Sequence, residues 1–211
     1  MSLITIPWRL ERPTPPFEGD EIRYPEGLVR HFLDRYTKRG ARVLDPFTGL
    51  GTTLFAAEDM GRIPYGVEAN DLRFAWVAGQ LDNWQNVQNG DSAKLDRYHF
   101  PKMDFCMTSP PFMGRHQKWN PLFAGNPRYA GYDTYLKRMA FIFAQVAKQM
   151  KRGAKVVIHV DNLRHGRIYT PLVRDMGKAA SASLTQIDEI TVLWKNPRPG
   201  YDHTTCLVFT A

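Results

Sequence analysis

Four consecutive residues, Ser109, Pro110, Pro111 and Phe112, hold the densest group of chemical functions in the 211-residue chain. They follow a short apolar run, "MDFCM". Ser109 brings a hydroxyl oxygen. Pro110 brings a main-chain carbonyl that its own ring and the next one hold in place, because proline locks φ near about −65° and has no N–H. The two oxygens form a rigid pair of hydrogen-bond acceptors, fixed before any substrate arrives. Phe112 adds a ring face for stacking. A plainer reading also exists: a strand ended by a Pro-Pro turn, with a core phenylalanine behind it.

A second constellation lies earlier, in "LDPFTGLGTT" (44–53). Gly49 and Gly51 allow a tight turn and close approach of a ligand to the backbone. A helix beginning near Thr52 presents unpaired N–H groups and its positive dipole end to that turn. Asp45, followed by Pro46 and Phe47, ends a strand, where a carboxylate can meet a cationic or amine group. Glu68 ends the next strand and suits ribose hydroxyls. Asp91, in "NGDSAKL", can accept a hydrogen bond from an adenine amino group. The string lacks the GxGxxG of dinucleotide folds and the GK[ST] of a P-loop, so NAD and ATP fit poorly. The plainer reading here is a structural turn with exposed acids.

These groups need strands to end, and helices to begin, at one edge of a sheet. Residues 1–25 are rich in proline and charge and read as an irregular arm. Apolar residues at helical spacing predict a helix over 27–40, closed by Gly40. A strand follows at 41–47, a helix at 52–61 and a strand at 63–69. The next helix, 71–83, takes Asn70 or Asp71 as its N-cap. A weak strand is expected in "QNVQNGD", a firm one in "MDFCMTSP" and a loop at 113–131. A long amphipathic helix spans 132–153 and ends at glycine. "AKVVIHVD" reads as a strand, "YTPLVRDMGKAASA" as a helix, and "TQIDEITVLW" and "TTCLVFT" as the last two strands. This alternation predicts an α/β domain over 26–211, with a mostly parallel seven-stranded sheet and an antiparallel final strand.

Composition narrows the classes. Lys and Arg exceed Asp and Glu by 28 − 21 = +7, which favours polyanionic partners such as nucleic acid. No apolar stretch is long enough for a membrane span, and the N-terminus lacks a secretory signal pattern; a cytoplasmic protein is expected. The two cysteines, Cys106 and Cys206, have neither disulfide nor zinc spacing. Cys106 lies inside an apolar strand and reads as a buried small hydrophobe rather than a nucleophile. His159 and His165 have no third ligand at metal spacing, so no metal is assigned. Asp161 and Asn162 can support the pocket, or Asn162 can cap a turn.

With both constellations in place, the chain resembles the S-adenosylmethionine-dependent DNA amino-methyltransferases. "LDPFTGLGTT" is similar to their motif I and "TSPPF" to the catalytic (D/N/S)-P-P-(Y/F/W) loop. "IRYPEGLVRHFL" is similar to the segment preceding motif I, so the resemblance runs over residues 22–165. It implies a Rossmann-like class I methyltransferase. S-adenosylmethionine would be held by Asp45, Pro46, Phe47, Gly49, Gly51, Thr52, Glu68 and Asp91. The catalytic residues would be Ser109, Pro110, Pro111 and Phe112. The serine form of the loop is typical of cytosine-N4 enzymes and the aspartate form of adenine-N6 enzymes. The lone pair of an exocyclic amine is delocalised into the base; hydrogen bonds from its N–H groups to Ser109 and Pro110 favour the nucleophilic form. A flipped base would stack on Phe112.

Target contacts are expected from Arg115, His116, Lys118, Trp119, Arg128 and Tyr129 in the 113–131 loop, and from Lys195 and Arg198 in "KNPRPGYDH". DNA is the expected partner and RNA the alternative. Many sequence-specific enzymes of this kind carry a separate target-recognition region. Here only the 113–131 loop, the arm and the C-terminal turn are expected to serve. Specificity is therefore expected to be short or loose, or to come from a homodimer or partner subunit, and restriction-modification is one of the roles left open. The rival of another class is a non-catalytic nucleic-acid-binding subunit, which would bind no S-adenosylmethionine.

Overall fold

The structure is a computed structural model and describes residues 2–19, 23–197 and 200–211. In chain order the elements are β1 (Ser2–Pro7), α1 (Glu26–Tyr36), β2 (Arg42–Asp45), α2 (Thr52–Asp59), β3 (Ile63–Glu68), α3 (Asp71–Ala78), β4 (Val87–Asn89) and β5 (Met103–Thr108). Then come α4 (Tyr132–Gln149), β6 (Met150–Val160), β7 (Leu163–His165), β8 (Ile168–Thr170), α5 (Leu172–Ser181), β9 (Thr185–Lys195) and β10 (His203–Thr210). Eight strands form one sheet in the order β1-β9-β10-β6-β5-β2-β3-β4. β10 runs antiparallel to both its neighbours, and the other pairings are parallel.

Side chains of the central strands alternate between two cores, as period-two geometry requires. Leu44, Cys106, Val156, Ile158 and Leu207 join a cluster beneath α4 and α5. Val43, Phe105, Met107, Val157 and Val208 join a second cluster beneath α1. Helices therefore cover both faces, and the inner strands read as continuous apolar runs because neither face meets water. α1 buries Leu28, Val29, Phe32 and Leu33, and α4 buries Tyr135, Met139, Ile142, Phe143 and Val146. Both sets follow the i, i+3, i+4, i+7 spacing of one helix face. Cys106 and Cys206 are free thiols buried in these cores, and burial pushes both pKa values up.

Several local expectations change, among them the helix ends: α1 stops at Tyr36 rather than at Gly40, and α3 stops at Ala78 rather than at residue 83. Residues Ser2–Pro7 are a strand, not part of an irregular arm. They add an eighth strand by pairing in parallel with β9, from Ser2 against Ile190 to Pro7 against Lys195. α4 stops at Gln149 instead of running to Gly153, because Met150 already pairs with Met103 and Gly153, at φ 80°, lies inside β6. Long-range pairing there outweighs the helix propensity of a Lys-Arg pair. Last, the helix expected from Tyr169 begins only at Leu172, because Ile168–Thr170 pair as β8 with β7 in an antiparallel hairpin that turns at Gly166 with φ 55°. Among the described residues no helix is long and apolar enough to cross a membrane.

Candidate active site

The glycine turn leaves β2 at Asp45 and enters α2 at Thr52. The Thr48 hydroxyl donates to the Asp45 carbonyl at 3.1 Å, and the Gly51 N–H donates to the Thr48 carbonyl at 2.8 Å. The two glycines have different duties. Gly51 (φ 83°) is packed: a Cβ there would lie 2.7 Å from the Phe55 ring. Gly49 (φ 55°) is open, since a Cβ would meet only the Phe47 carbonyl, at 3.8 Å. Gly49 is thus the point where a ligand can approach the backbone. Thr52 is buried at the start of α2, and Phe47 packs half-buried on the main core. The carbonyl of Pro46 accepts from the Ser92 hydroxyl.

Glu68 clamps this turn. Its Oε2 accepts the Gly49 N–H at 2.7 Å and its Oε1 accepts the Asn70 N–H at 2.8 Å. Asn70, not Asp71, caps α3, accepting from the N–H groups of Leu72 and Arg73. Each Glu68 oxygen keeps a lone pair for a further donor. Burial raises the Glu68 pKa, and backbone donors, Asn70 and Gly49 foremost, oppose that shift together with the Arg73 charge.

Asp45 is turned inward, only 2% exposed, rather than facing an amine at the strand tip. Its Oδ1 accepts the Phe47 N–H at 3.0 Å and the Thr108 hydroxyl at 2.6 Å. Burial pushes its pKa up to about 6, against the opposing hydrogen bonds. Asp91 is also engaged. Its Oδ1 caps the turn at Ala93, and its Oδ2 pairs with Arg138 of α4 at 2.6 Å. An adenine amino group would share Asp91 with that guanidinium.

β5 brings Ser109 to the same edge. The Ser109 Oγ lies 3.0 Å from His159 Nδ1, at the end of β6. His159 Nε2 lies 2.9 Å from the Thr204 hydroxyl, and that hydroxyl donates to Asp161 Oδ1 at 2.8 Å. Tyr135 of α4 donates its hydroxyl to the Pro111 carbonyl at 3.0 Å, pinning the loop from below. No hydrogen bond from the described residues reaches the Pro110 carbonyl. Phe112 is half-buried, its ring 6.2 Å from that of His159 and near-parallel to it at 24°. Sequence reasoning missed Thr204 and gave His159 no role. The signal available was one polar residue, His159, in the run "VVIHV". Asn162 caps no turn of its own; its side chain accepts the Val173 N–H in the first turn of α5 at 3.0 Å.

The 113–131 loop has internal order. Asn120, fully buried, accepts the Leu122 N–H through its side chain and donates to the Tyr129 carbonyl at 2.9 Å. Trp119 is 60% exposed and lies over Gly125. Tyr129 stacks on Phe123 at 4.3 Å with Arg128 above it, and Lys118 is exposed. Arg115 stays exposed but is paired with Asp175 at 3.1 Å. The His116 ring stacks on His165 at 4.1 Å, joining this loop to the β7–β8 hairpin and its exposed Arg164 and Arg167. Lys195 ends β9 at the same sheet edge as Ser109, three strands along. Arg198 lies outside the described residues.

This architecture is the class I S-adenosylmethionine-dependent methyltransferase fold. It is similar to TrmN from Thermus thermophilus, with a TM-score of 0.62 at 18% identity over 88% of this chain and 48% of that one. It is also similar to a methyltransferase from Pyrococcus furiosus, with a TM-score of 0.60 at 13% identity, covering 95% and 88% of the two chains. In sequence, residues 8–76 match the family described as DNA methylase, the N6_N4_Mtase family. A curated relative, the type II methyltransferase M.BglII from Bacillus subtilis, is 32% identical over 71 residues, which is 32% of this chain. The chain spans only 20% of that relative and about half of the TrmN chain. The family match covers the glycine turn and Glu68 and stops before Ser109.

Proposed function

We propose that the protein transfers a methyl group from S-adenosylmethionine to an exocyclic amino group of a DNA base, with cytosine N4 as the first choice. One observation carries the reading. The Ser109-Pro110-Pro111-Phe112 loop and the glycine turn meet at one sheet edge, joined by the bond from Thr108 to Asp45. The match of residues 8–76 to a DNA methylase family supports the same conclusion from the cofactor side.

The residues present fit S-adenosylmethionine. Gly49 leaves its backbone open, and Glu68 is held with spare lone pairs where a ribose would lie. Asp45 stiffens the floor below. The bound cofactor supplies an activated methyl group. The chain's own work is to orient the amine: Ser109 Oγ and the Pro110 carbonyl accept its two N–H bonds, which draws the lone pair out of conjugation with the base. Such fixed dipoles act strongly in a site that excludes water. Phe112 offers the face on which the extruded base stacks. The exposed Lys118, Trp119, Arg128 and Tyr129, with Arg164 and Arg167, suit phosphate and base contact.

The test is sequential. Calorimetric titration should detect S-adenosylmethionine binding, and tritiated cofactor should then label duplex DNA. Binding without label in any nucleic acid would move the substrate elsewhere. No binding would favour the non-catalytic subunit.

A further inference from the structure

We infer that His159 is a positioning residue that holds the Ser109 hydroxyl as a hydrogen-bond acceptor toward the substrate amine, in a directed chain anchored at Asp161. The inference rests on the amino-methyltransferase reading and assigns a further residue to it.

The direction follows from the far end. Asp161 Oδ1 is a carboxylate oxygen and can only accept, so the Thr204 hydroxyl must donate to it across 2.8 Å. That spends the one proton Thr204 has. At its other contact, 2.9 Å from His159 Nε2, Thr204 must therefore accept, and Nε2 carries the ring proton. Burial lowers the His159 pKa and keeps the ring neutral, although Asp161 pulls the other way. A neutral ring with its proton on Nε2 has a bare Nδ1. The Ser109 hydroxyl, 3.0 Å away, donates to it. With its proton turned inward, Ser109 Oγ presents lone pairs outward. It is then an acceptor that an amine N–H can use, not a competing donor.

The surroundings maintain this arrangement. The Thr205 N–H also donates to Asp161 Oδ1, at 3.3 Å, fixing the carboxylate. Tyr24 (4.9 Å) and Phe112 (6.2 Å) pack their rings beside His159. Thr204 is 1% and His159 9% exposed, so water cannot readily substitute for either partner. Register supplies the geometry. β10 pairs Cys206 with His159 and Thr205 with Val160, which brings Thr204 and Asp161 together at the site edge.

The first readout is independent of activity. In ¹⁵N-labelled protein, a long-range ¹⁵N–¹H spectrum of the His159 ring should show the proton on Nε2 and an unprotonated Nδ1. A proton on Nδ1 would overturn the inference even if methylation is confirmed. Kinetics give the second readout, on whatever nucleic acid the wild-type protein labels. Losing one buried acceptor should cost about tenfold to a hundredfold. His159→Leu should lower kcat by that factor while KM and S-adenosylmethionine affinity stay unchanged. His159→Asn, whose amide oxygen lies near the place of Nδ1, should recover most of the loss. Thr204→Val should lower kcat with His159 still present, and guards against a His159→Leu variant that fails to fold. Wild-type kcat in both Thr204→Val and His159→Leu, or equal loss of kcat and cofactor binding, would contradict the assignment. Failure of the wild-type protein to label any substrate would instead strike the proposed function, and the tautomer measurement would still decide this inference.

Discussion

The Thr108 hydroxyl donates to Asp45 Oδ1 at 2.6 Å and so ties the strand that ends in the Ser-Pro-Pro-Phe loop to the strand that ends in the glycine turn. Thr108 is fully buried and Asp45 nearly so. The contact fixes the spacing between the place expected for the cofactor and the place expected for the amine. Removing it should weaken both folding and catalysis. Thr108→Val leaves a buried carboxylate oxygen short of a donor, which costs about 1–3 kcal/mol. Urea unfolding should show a lower midpoint with an unchanged m-value; an unchanged midpoint would mean the bond contributes nothing net.

Asp45 also makes stability depend on pH. Its folded pKa, about 6, lies above its ordinary value of 3.8, so the folded state holds the proton more tightly. The contribution is fully present below the unfolded pKa and is lost as pH rises through about 6. At one pKa unit per 1.36 kcal/mol, the loss is on the order of 2–3 kcal/mol. Asp45→Asn cannot titrate. The stability difference between the variant and wild type should therefore shift toward the variant between about pH 4 and 6. A constant difference across that window would contradict the burial argument.

Ser109→Ala removes one of the two proposed acceptors without touching the glycine turn. Turnover should fall by on the order of 10²-fold, the scale of losing one preorganised polar contact at a reacting centre. Affinity for S-adenosylmethionine should be unchanged in calorimetry. Parallel loss of both would place Ser109 with the cofactor instead.

Phe112→Ala should weaken productive binding of the target base by about 1–3 kcal/mol, seen as lower kcat/KM on nucleic acid. Wild-type kinetics would mean that the ring serves only to pack against His159.

Lys118→Ala and Arg128→Ala should weaken nucleic-acid binding about equally for all sequences. Each should reduce the slope of log affinity against log salt by about 1. Trp119→Ala should weaken binding with the slope unchanged, since it carries no charge. An unchanged slope in both charge variants would remove the 113–131 loop from the interface.

Much of this site could be read from the sequence because its parts are local. The glycine turn, the acid ending β3 and the Pro-Pro loop each sit within a few residues of a strand tip, and hydrophobic periodicity locates those tips. What escaped is long-range. Ser2–Pro7 becomes a strand only because β9 offers an edge far along the chain. Asp91 reads from sequence as an acceptor for an adenine amino group, but α4 brings Arg138 to it across the fold. Asp45 looked exposed, yet β5 folds Thr108 over it. The His159–Thr204–Asp161 chain exists only through the register of β6 and β10.

The central claim is the identity of the methylated group. Duplex DNA, single-stranded DNA and total RNA would each be incubated with the protein and labelled S-adenosylmethionine, digested to nucleosides and analysed by mass spectrometry. N4-methylcytosine from DNA is the predicted product. N6-methyladenine would keep the amino-group chemistry and change the base. Label confined to RNA, or to carbon 5 of cytosine, would contradict the account.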